Sequence, residues 1–316
     1  MKRVVACALA LCLTVCLFAG TASAAAREPI SKFTIPLADN VNLIEMTHAG
    51  GIFTDPKDVL QQHALTYQPG GDVQPMVIYG STLYGRSTMS KIATYLDNQN
   101  LSLVAGVNGS FFDMSTGIPY GFLVTDGVLR TSGNVNSVGF FKNGSAIIAS
   151  PDLHVLLTGG AFSDTEIFYN KVLTTTNGIG LYSRDYDTAT KNTVSAYNLV
   201  LKPVSGSDSE LTLSGEMTLE VTKITQSAAS CAIPAGGFVL SIAEQTSYAS
   251  VLANMKAFKV GDRVTVSVRC ADEWEDVAYA CGGGDLLVED ENALENFTLD
   301  TKNEQRARTA IGIKPD

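Results

Sequence analysis

Two short segments hold the side chains best suited to chemistry on a phosphorylated or sugar-like ligand: Asn108-Gly109-Ser110-Phe111-Phe112 and Arg308-Thr309-Ala310-Ile311-Gly312. An Asn amide offers two donors and an acceptor, which suits a sugar hydroxyl or a phosphate oxygen. Its alternative here is an Asn-Gly turn followed by two core phenylalanines. Asp113 follows at once, as a carboxylate for the same cleft or a solvated loop residue. Tyr120, within Gly117-Ile118-Pro119-Tyr120-Gly121, can stack on a sugar or serve as a core or rim aromatic. A guanidinium binds phosphate through two parallel hydrogen bonds, which Lys cannot copy, so Arg308 is the leading cation. The alternation Arg306-Ala307-Arg308 puts both arginines on one strand face, or simply on an exposed face.

Gly282-Gly283-Gly284 reads as a nest of backbone N–H groups for an anion, or as a flexible turn entering a strand. It is neither a dinucleotide fingerprint nor a nucleotide-phosphate loop, because the glycine spacing and the following Gly-Lys-Ser/Thr are missing. The chain has no Gly-x-Ser-x-Gly elbow and no His-Glu-x-x-His helix. The acidic run 289–295 lacks calcium-loop spacing. His48, His63 and His154 show no zinc spacing with the cysteines, so no metal or cofactor is expected.

These residues must be positioned by elements that the pattern outlines. Residues 76–79 and the apolar run 101–107 read as strands. Thr88 or Ser87 caps a helix between them, with Met89, Ile92, Ala93 and Leu96 on one face. Two hairpins follow, turning at Asp126-Gly127 and Asn143-Gly144, dipeptides that suit two-residue turns with positive φ. From 151 to 270 the chain is rich in Thr, Ser and Val and reads as an all-β insertion, with a helix carrying Tyr248, Val251, Leu252 and Met255 on one face. Residues 286–288 and 309–313 read as further strands. The expected fold class is therefore α+β: a mixed sheet core with flanking helices, interrupted by an all-β insertion. The division is 25–75 as an N-terminal leader, 76–150 and 271–316 as the split core, and 151–270 as the insertion.

Residues 1–24 read as an export signal: Lys2 and Arg3, an apolar stretch, then Ala22-Ser23-Ala24. Its removal leaves no expected membrane span and takes the net charge from −10 to −12, since two cations depart. An acidic protein is a poor nucleic-acid binder, and local groups must hold any anion against the overall field. Cys231, Cys270 and Cys281 remain after cleavage. Export permits disulfides, so the alternatives are a Cys270–Cys281 bridge around Trp274 or three buried thiols.

In combination and order, Asn108 to Phe112, Asp126-Gly127, Gly282 to Val288 and Arg308 to Gly312 resemble the phosphodiester glycosidase family. The resemblance covers roughly 76–150 and 271–316. It implies hydrolysis of a sugar-1-phosphodiester of the N-acetylglucosamine type by an exported protein, secreted or held at the cell envelope, with a glycan or phosphoglycan partner. It implies Arg308, Thr309 and Gly282, Gly283 and Gly284 on phosphate, Asn108 orienting substrate, Asp113 as the carboxylate, and Tyr120 on the sugar. Members continue past the Arg-Thr-Ala strand into an Asp-Gly-Gly-Gly-Ser segment. This sequence has none before Asp316, so an incomplete, inactive domain is expected. Two other readings stand beside it: a non-catalytic envelope module binding glycan or phosphoglycan, and a cell-wall hydrolase using carboxylates among Asp113, Asp126 and Glu273.

Overall fold

The computed structural model describes residues 28–48, 59–294 and 307–314. The signal segment, the glycine pair at 50–51 and Arg306 lie outside them. The chain divides into two compact units, Met1–Gln68 and Pro69–Asp316.

The first unit is an antiparallel meander of β1 (Ser31–Ala38), β2 (Val41–His48) and β3 (Leu60–Tyr67), with β2 in the centre. Its central position follows from ladders on both sides, Thr34 opposite Ile44 and Ile44 opposite Ala64. The sequence reading treats this stretch as a mixed leader and misses its strands.

In the second unit, Thr88 caps α1 (Met89–Asn98), its side chain accepting from the Lys91 N–H. This satisfies one of the orphan donors at a helix start. A meander follows: β4 (Leu123–Thr125), β5 (Val128–Thr131), β6 (Ser137–Phe141) and β7 (Ala146–Ala149). Asp126 and Gly127 have φ of 55° and 75°, the two positive values of a type I′ turn. The second turn differs from expectation. Only Gly144 is positive there, and the Gly144 N–H donates to the Phe141 carbonyl. A type I turn closed by a left-handed glycine replaces the two-residue form.

The chain then builds eight strands: β8 (His154–Gly159), β9 (Phe162–Glu166), β10 (Phe168–Tyr169), β11 (Ile179–Tyr182), β12 (Ala196–Pro203), β13 (Glu216–Ala228), β14 (Phe238–Ala243) and β15 (Arg263–Arg269), with α2 (Ala249–Lys256) between the last two. The sheet order is β10-β11-β14-β12-β13-β15-β8-β9. Its two edge strands, β9 and β10, are separated in sequence only by Ile167. The chain thus steps from one edge to the other, and the sheet curls into a nearly closed barrel. Register shifts in the β12–β13 pair are the bulges that such curvature needs. In β15 every second residue, Val264, Val266 and Val268, is buried, as a half-buried strand demands. In β14 every residue is buried. Its one hydroxyl is satisfied: Ser241 donates to Asn198 Oδ1 at 2.5 Å from the register-paired position on β12.

A 3₁₀ turn (Asp272–Trp274) leads to β16 (Val277–Gly282), which inserts between β4 and β6 to complete a five-stranded sheet, β5-β4-β16-β6-β7. One apolar core runs through both sheets, joining Phe122, Val124 and Leu129 to Leu157, Leu199 and Leu240. Trp274 meets Phe122 edge-on at 5.4 Å between ring centroids. A short hairpin, β17 (Val288–Glu289) with β18 (Asn292–Ala293), follows.

The α+β expectation is therefore corrected. The protein is mostly β, with two α-helices among the described residues rather than a mixed sheet flanked by helices. Residues 76–79, 101–107 and 309–313 join no ladder, and of 286–288 only Val288 does. Leu101, Leu103, Val104 and Val107 are 37–64% exposed. Their apolar pattern matches a buried strand, but a strand exists only where a neighbour supplies hydrogen-bond partners.

Candidate functional site

The motif residues of 108–121 and 282–284 lie on loops braced by the five-stranded sheet. Residues 111–120 form a tight hairpin. The Tyr120 N–H donates to the Phe111 carbonyl, the Asp113 N–H to the Ile118 carbonyl, and Phe112 bridges Pro119. Asp113 organises its tip. Its Oδ1 accepts from the Ser115 N–H and hydroxyl and from the Thr116 N–H (2.8 Å) and hydroxyl (3.0 Å). These donors favour the charged form and hold its pKa down to about 2. Asp113 is thus a carboxylate at any physiological pH and cannot hold the proton of a general acid.

Glycines bring the distant segments into contact. A Cβ on Gly121 would stand 2.6 Å from the Gly282 Cα, and one on Gly282 would stand 2.7 Å from the Gly121 Cα. Only two glycines allow that backbone approach. A Cβ on Gly109 would lie 3.4 Å from the Cys281 sulfur, so Asn108 is held next to the end of β16. The structure thereby brings the Asn108–Asp113 segment, Tyr120 and Gly282 close together. Asn108 is exposed, and Phe111, Phe112 and Tyr120 are 54%, 39% and 60% exposed. The reading of Phe111 and Phe112 as core residues is excluded; they and Tyr120 form an aromatic rim.

The anion nest is not formed as expected. The Gly282 N–H donates to the Phe122 carbonyl (3.1 Å) and the Gly283 N–H to the Asn136 carbonyl (2.7 Å). Both donors serve the sheet, which leaves Gly284 as the glycine whose N–H is outside these bonds. Arg308 and Thr309 lie in the exposed stretch 307–314. Neither is among the atoms nearest Gly109, Gly121 or Gly282.

Among the described residues Cys231, Cys270 and Cys281 are free thiols, Cys231 buried and the other two partly so. The Cys270–Cys281 bridge is absent because the two face different neighbours: Cys270 stands 3.8 Å from the Ser214 hydroxyl, whereas Cys281 packs on Gly109. Burial pushes the Cys281 thiol pKa up, which keeps it un-ionised. Among the described residues no group of three or more His, Cys, Asp or Glu side chains could hold a metal, and no helix is long and apolar enough to cross a membrane.

Sequence reasoning missed Lys171. Its ammonium donates to the carbonyls of Pro119, Tyr120 (3.0 Å) and Gly121 (3.0 Å). It therefore pins the segment that carries the rim tyrosine and the crowded glycine. Desolvation pushes its pKa down to about 7, while three acceptors around Nζ call for the three-donor ammonium. A lone Lys in the 171–178 loop gives no sequence signal for this, because its partners lie 50–52 residues away.

No family model matches the chain, and no curated protein does. Among solved structures, a hypothetical protein from Synechocystis is similar with a TM-score of 0.61 at 15% identity, over 86% of this chain and 47% of that one. A Burkholderia pseudomallei protein assigned to export gives a TM-score of 0.46 at 17% identity, over 78% and 50%. The chain thus spans about half the length of these two structures. At this identity the likeness to the Synechocystis protein is one of fold.

Proposed function

We propose that the protein is exported and acts on a sugar-1-phosphodiester, releasing the sugar from a phosphomonoester. The observation that carries the reading is the meeting of the Asn108–Asp113 segment with Gly121 and Gly282. Residues about 170 positions apart become neighbours, beside exposed aromatics suited to sugar faces. A phosphomonoester leaves readily, so little is asked of a general acid. What must be stabilised is positive character on the sugar ring and negative charge on phosphate. Asp113, ionised and with all four bonds on Oδ1, supplies the first charge through its other oxygen. Asn108 orients the substrate, Tyr120 stacks on the sugar, and Arg308 with Thr309 and the Gly284 N–H holds the phosphate.

The test is release of N-acetylglucosamine from N-acetylglucosamine-1-phospho-methylmannoside. Arg308→Ala is expected to cut the rate by about 10²–10³, the usual loss when one transition-state charge partner is removed, with unchanged circular dichroism. Turnover indifferent to Arg308→Ala would sink the assignment of that residue. A second reading, a non-catalytic glycan-binding module, is favoured by the exposed aromatic rim. Saturable binding of the same compound with no turnover would decide for it.

A further inference from the structure

A second polar cluster lies between residues 76–81, the end of α1, the β4–β5 turn and the loop after β11. Its cation is Arg130 on β5, whose Nη1 donates to Asp185 Oδ2 at 3.1 Å and stands 3.6 Å from Glu210 Oε1. The Tyr79 hydroxyl donates to the other oxygen of Asp185 at 2.9 Å, across 106 residues of sequence. Buried Asn170 braces the group. Its Nδ2 donates to the Arg130 carbonyl (2.7 Å) and the Ser183 hydroxyl (3.0 Å), and its Oδ1 accepts the Ser183 N–H (2.9 Å). Such a network is rigid because each member is held by the next. Burial and the Asp185 carboxylate push the Tyr79 pKa up, so the phenol remains a donor at every physiological pH.

This network opens on a cavity of about 410 Å³, within the range of roughly 300–1,000 Å³ seen for ligand sites. None of Asn108, Asp113, Tyr120, Gly282, Gly283, Gly284 or Arg308 lines it. Its lining combines Tyr79, Asp126, Arg130 and Asp185 with Ile78, Leu96 and Leu101. Asp185 balances Arg130, and Asp126 adds a second negative charge, so the lining repels anions. Asp126 Oδ1 takes the Tyr279 hydroxyl, leaving Oδ2 as an acceptor. A lining that offers both polar groups and apolar surface suits a pyranose ring, which has a hydroxyl edge and a C–H face.

We propose that this cavity binds a neutral pyranose sugar, with Asp126 and the Tyr79–Asp185 pair on its hydroxyls and Ile78, Leu96 and Leu101 against its C–H face. The assignment does not rest on phosphodiester hydrolysis at the motif segments. The test titrates the full chain with methyl α-glucoside, methyl α-mannoside and N-acetylglucosamine, singly, by calorimetry and saturation-transfer NMR. At least one neutral sugar is expected to bind saturably with a Kd of about 1 mM. Tyr79→Phe and Asp126→Asn should each weaken it about tenfold, the loss of one hydrogen bond to a polar or charged group. Ile78→Trp, which fills the cavity, should abolish it. Asn tolerates the positive φ at position 126, so Asp126→Asn keeps the fold even if another variant does not. The proposal is overturned by three results: no saturable binding of any of the three sugars; binding unchanged in both Tyr79→Phe and Asp126→Asn; or preference for glucose 1-phosphate or tetramethylammonium over the neutral glucoside.

Discussion

At the level of single residues, charge state separates the candidates. Asp113 is locked as a carboxylate by four hydrogen bonds to one oxygen, so a role in electrostatic stabilisation is open to it and proton donation is not. Lys171 is the opposite case, a cation taken out of water. Its folded pKa of about 7 lies below the ordinary 10.5. Between those values the unfolded chain binds more protons than the native one. Stability therefore rises as pH increases from about 7 towards 10.5, and the desolvation cost is fully felt below 7. The expected outcome is that urea unfolding at pH 6 and pH 9 shows the wild-type chain gaining stability relative to Lys171→Met at the higher pH. An unchanged difference would mean that the three carbonyl partners hold the ammonium charged throughout.

At the level of elements, β16 governs the meeting of the motif segments. It pairs with β4 through Ala280 and Val124 and with β6 through Cys281 and Val138. Its last residue, Gly282, is the one that meets Gly121. Gly282→Ala places a methyl 2.7 Å from backbone, which no rotamer can relieve. We predict a loss of about 1–3 kcal/mol, the usual cost of overpacking, read as a lowered denaturant midpoint. The strand should also shift away from β4, broadening the amide signals of Gly121 and Phe122. A variant as stable as the wild type would show that the two backbones separate freely.

For the whole molecule, stability resides in the continuous core, while the uncovered apolar runs add none. Leu240, fully buried on the all-buried strand β14, is expected to cost about 2–5 kcal/mol when changed to Ala, from lost burial plus a residual cavity. Val107, 64% exposed, should behave differently. Val107→Lys is expected to alter unfolding free energy by less than about 0.5 kcal/mol while reducing self-association in light scattering, since exposed apolar surface drives it. A large loss of stability in Val107→Lys would mean that 101–107 is covered in solution.

Much that is local was legible from sequence. Thr88 and the i, i+3, i+4, i+7 spacing marked α1, and Asp126-Gly127 marked its hairpin. Capping, turn φ and side-chain periodicity are properties of neighbouring residues. Apolar runs were less reliable: 101–107 has the composition of a buried strand, but burial is decided by what packs against it. The three strands of 31–67 escaped notice although Phe33, Ile35 and Leu37 alternate in β1; the alternation breaks in β2 at Leu43-Ile44, and the pairing of the three is the clearer signal. The candidate site was legible as motifs and not as geometry. Residue types named Asn108, Asp113, Tyr120 and Gly282, but only folding showed that two glycine N–H groups are spent on the sheet. The same holds for the phenylalanines at the rim, for Lys171 under the loop, and for the pairing of Arg130, Tyr79 and Asp185 across more than fifty residues. Sequence thus determined the local elements and the inventory of chemical groups. The tertiary structure decided which groups meet, since contact across long separations depends on the closure of the β sheets and not on any nearby pattern.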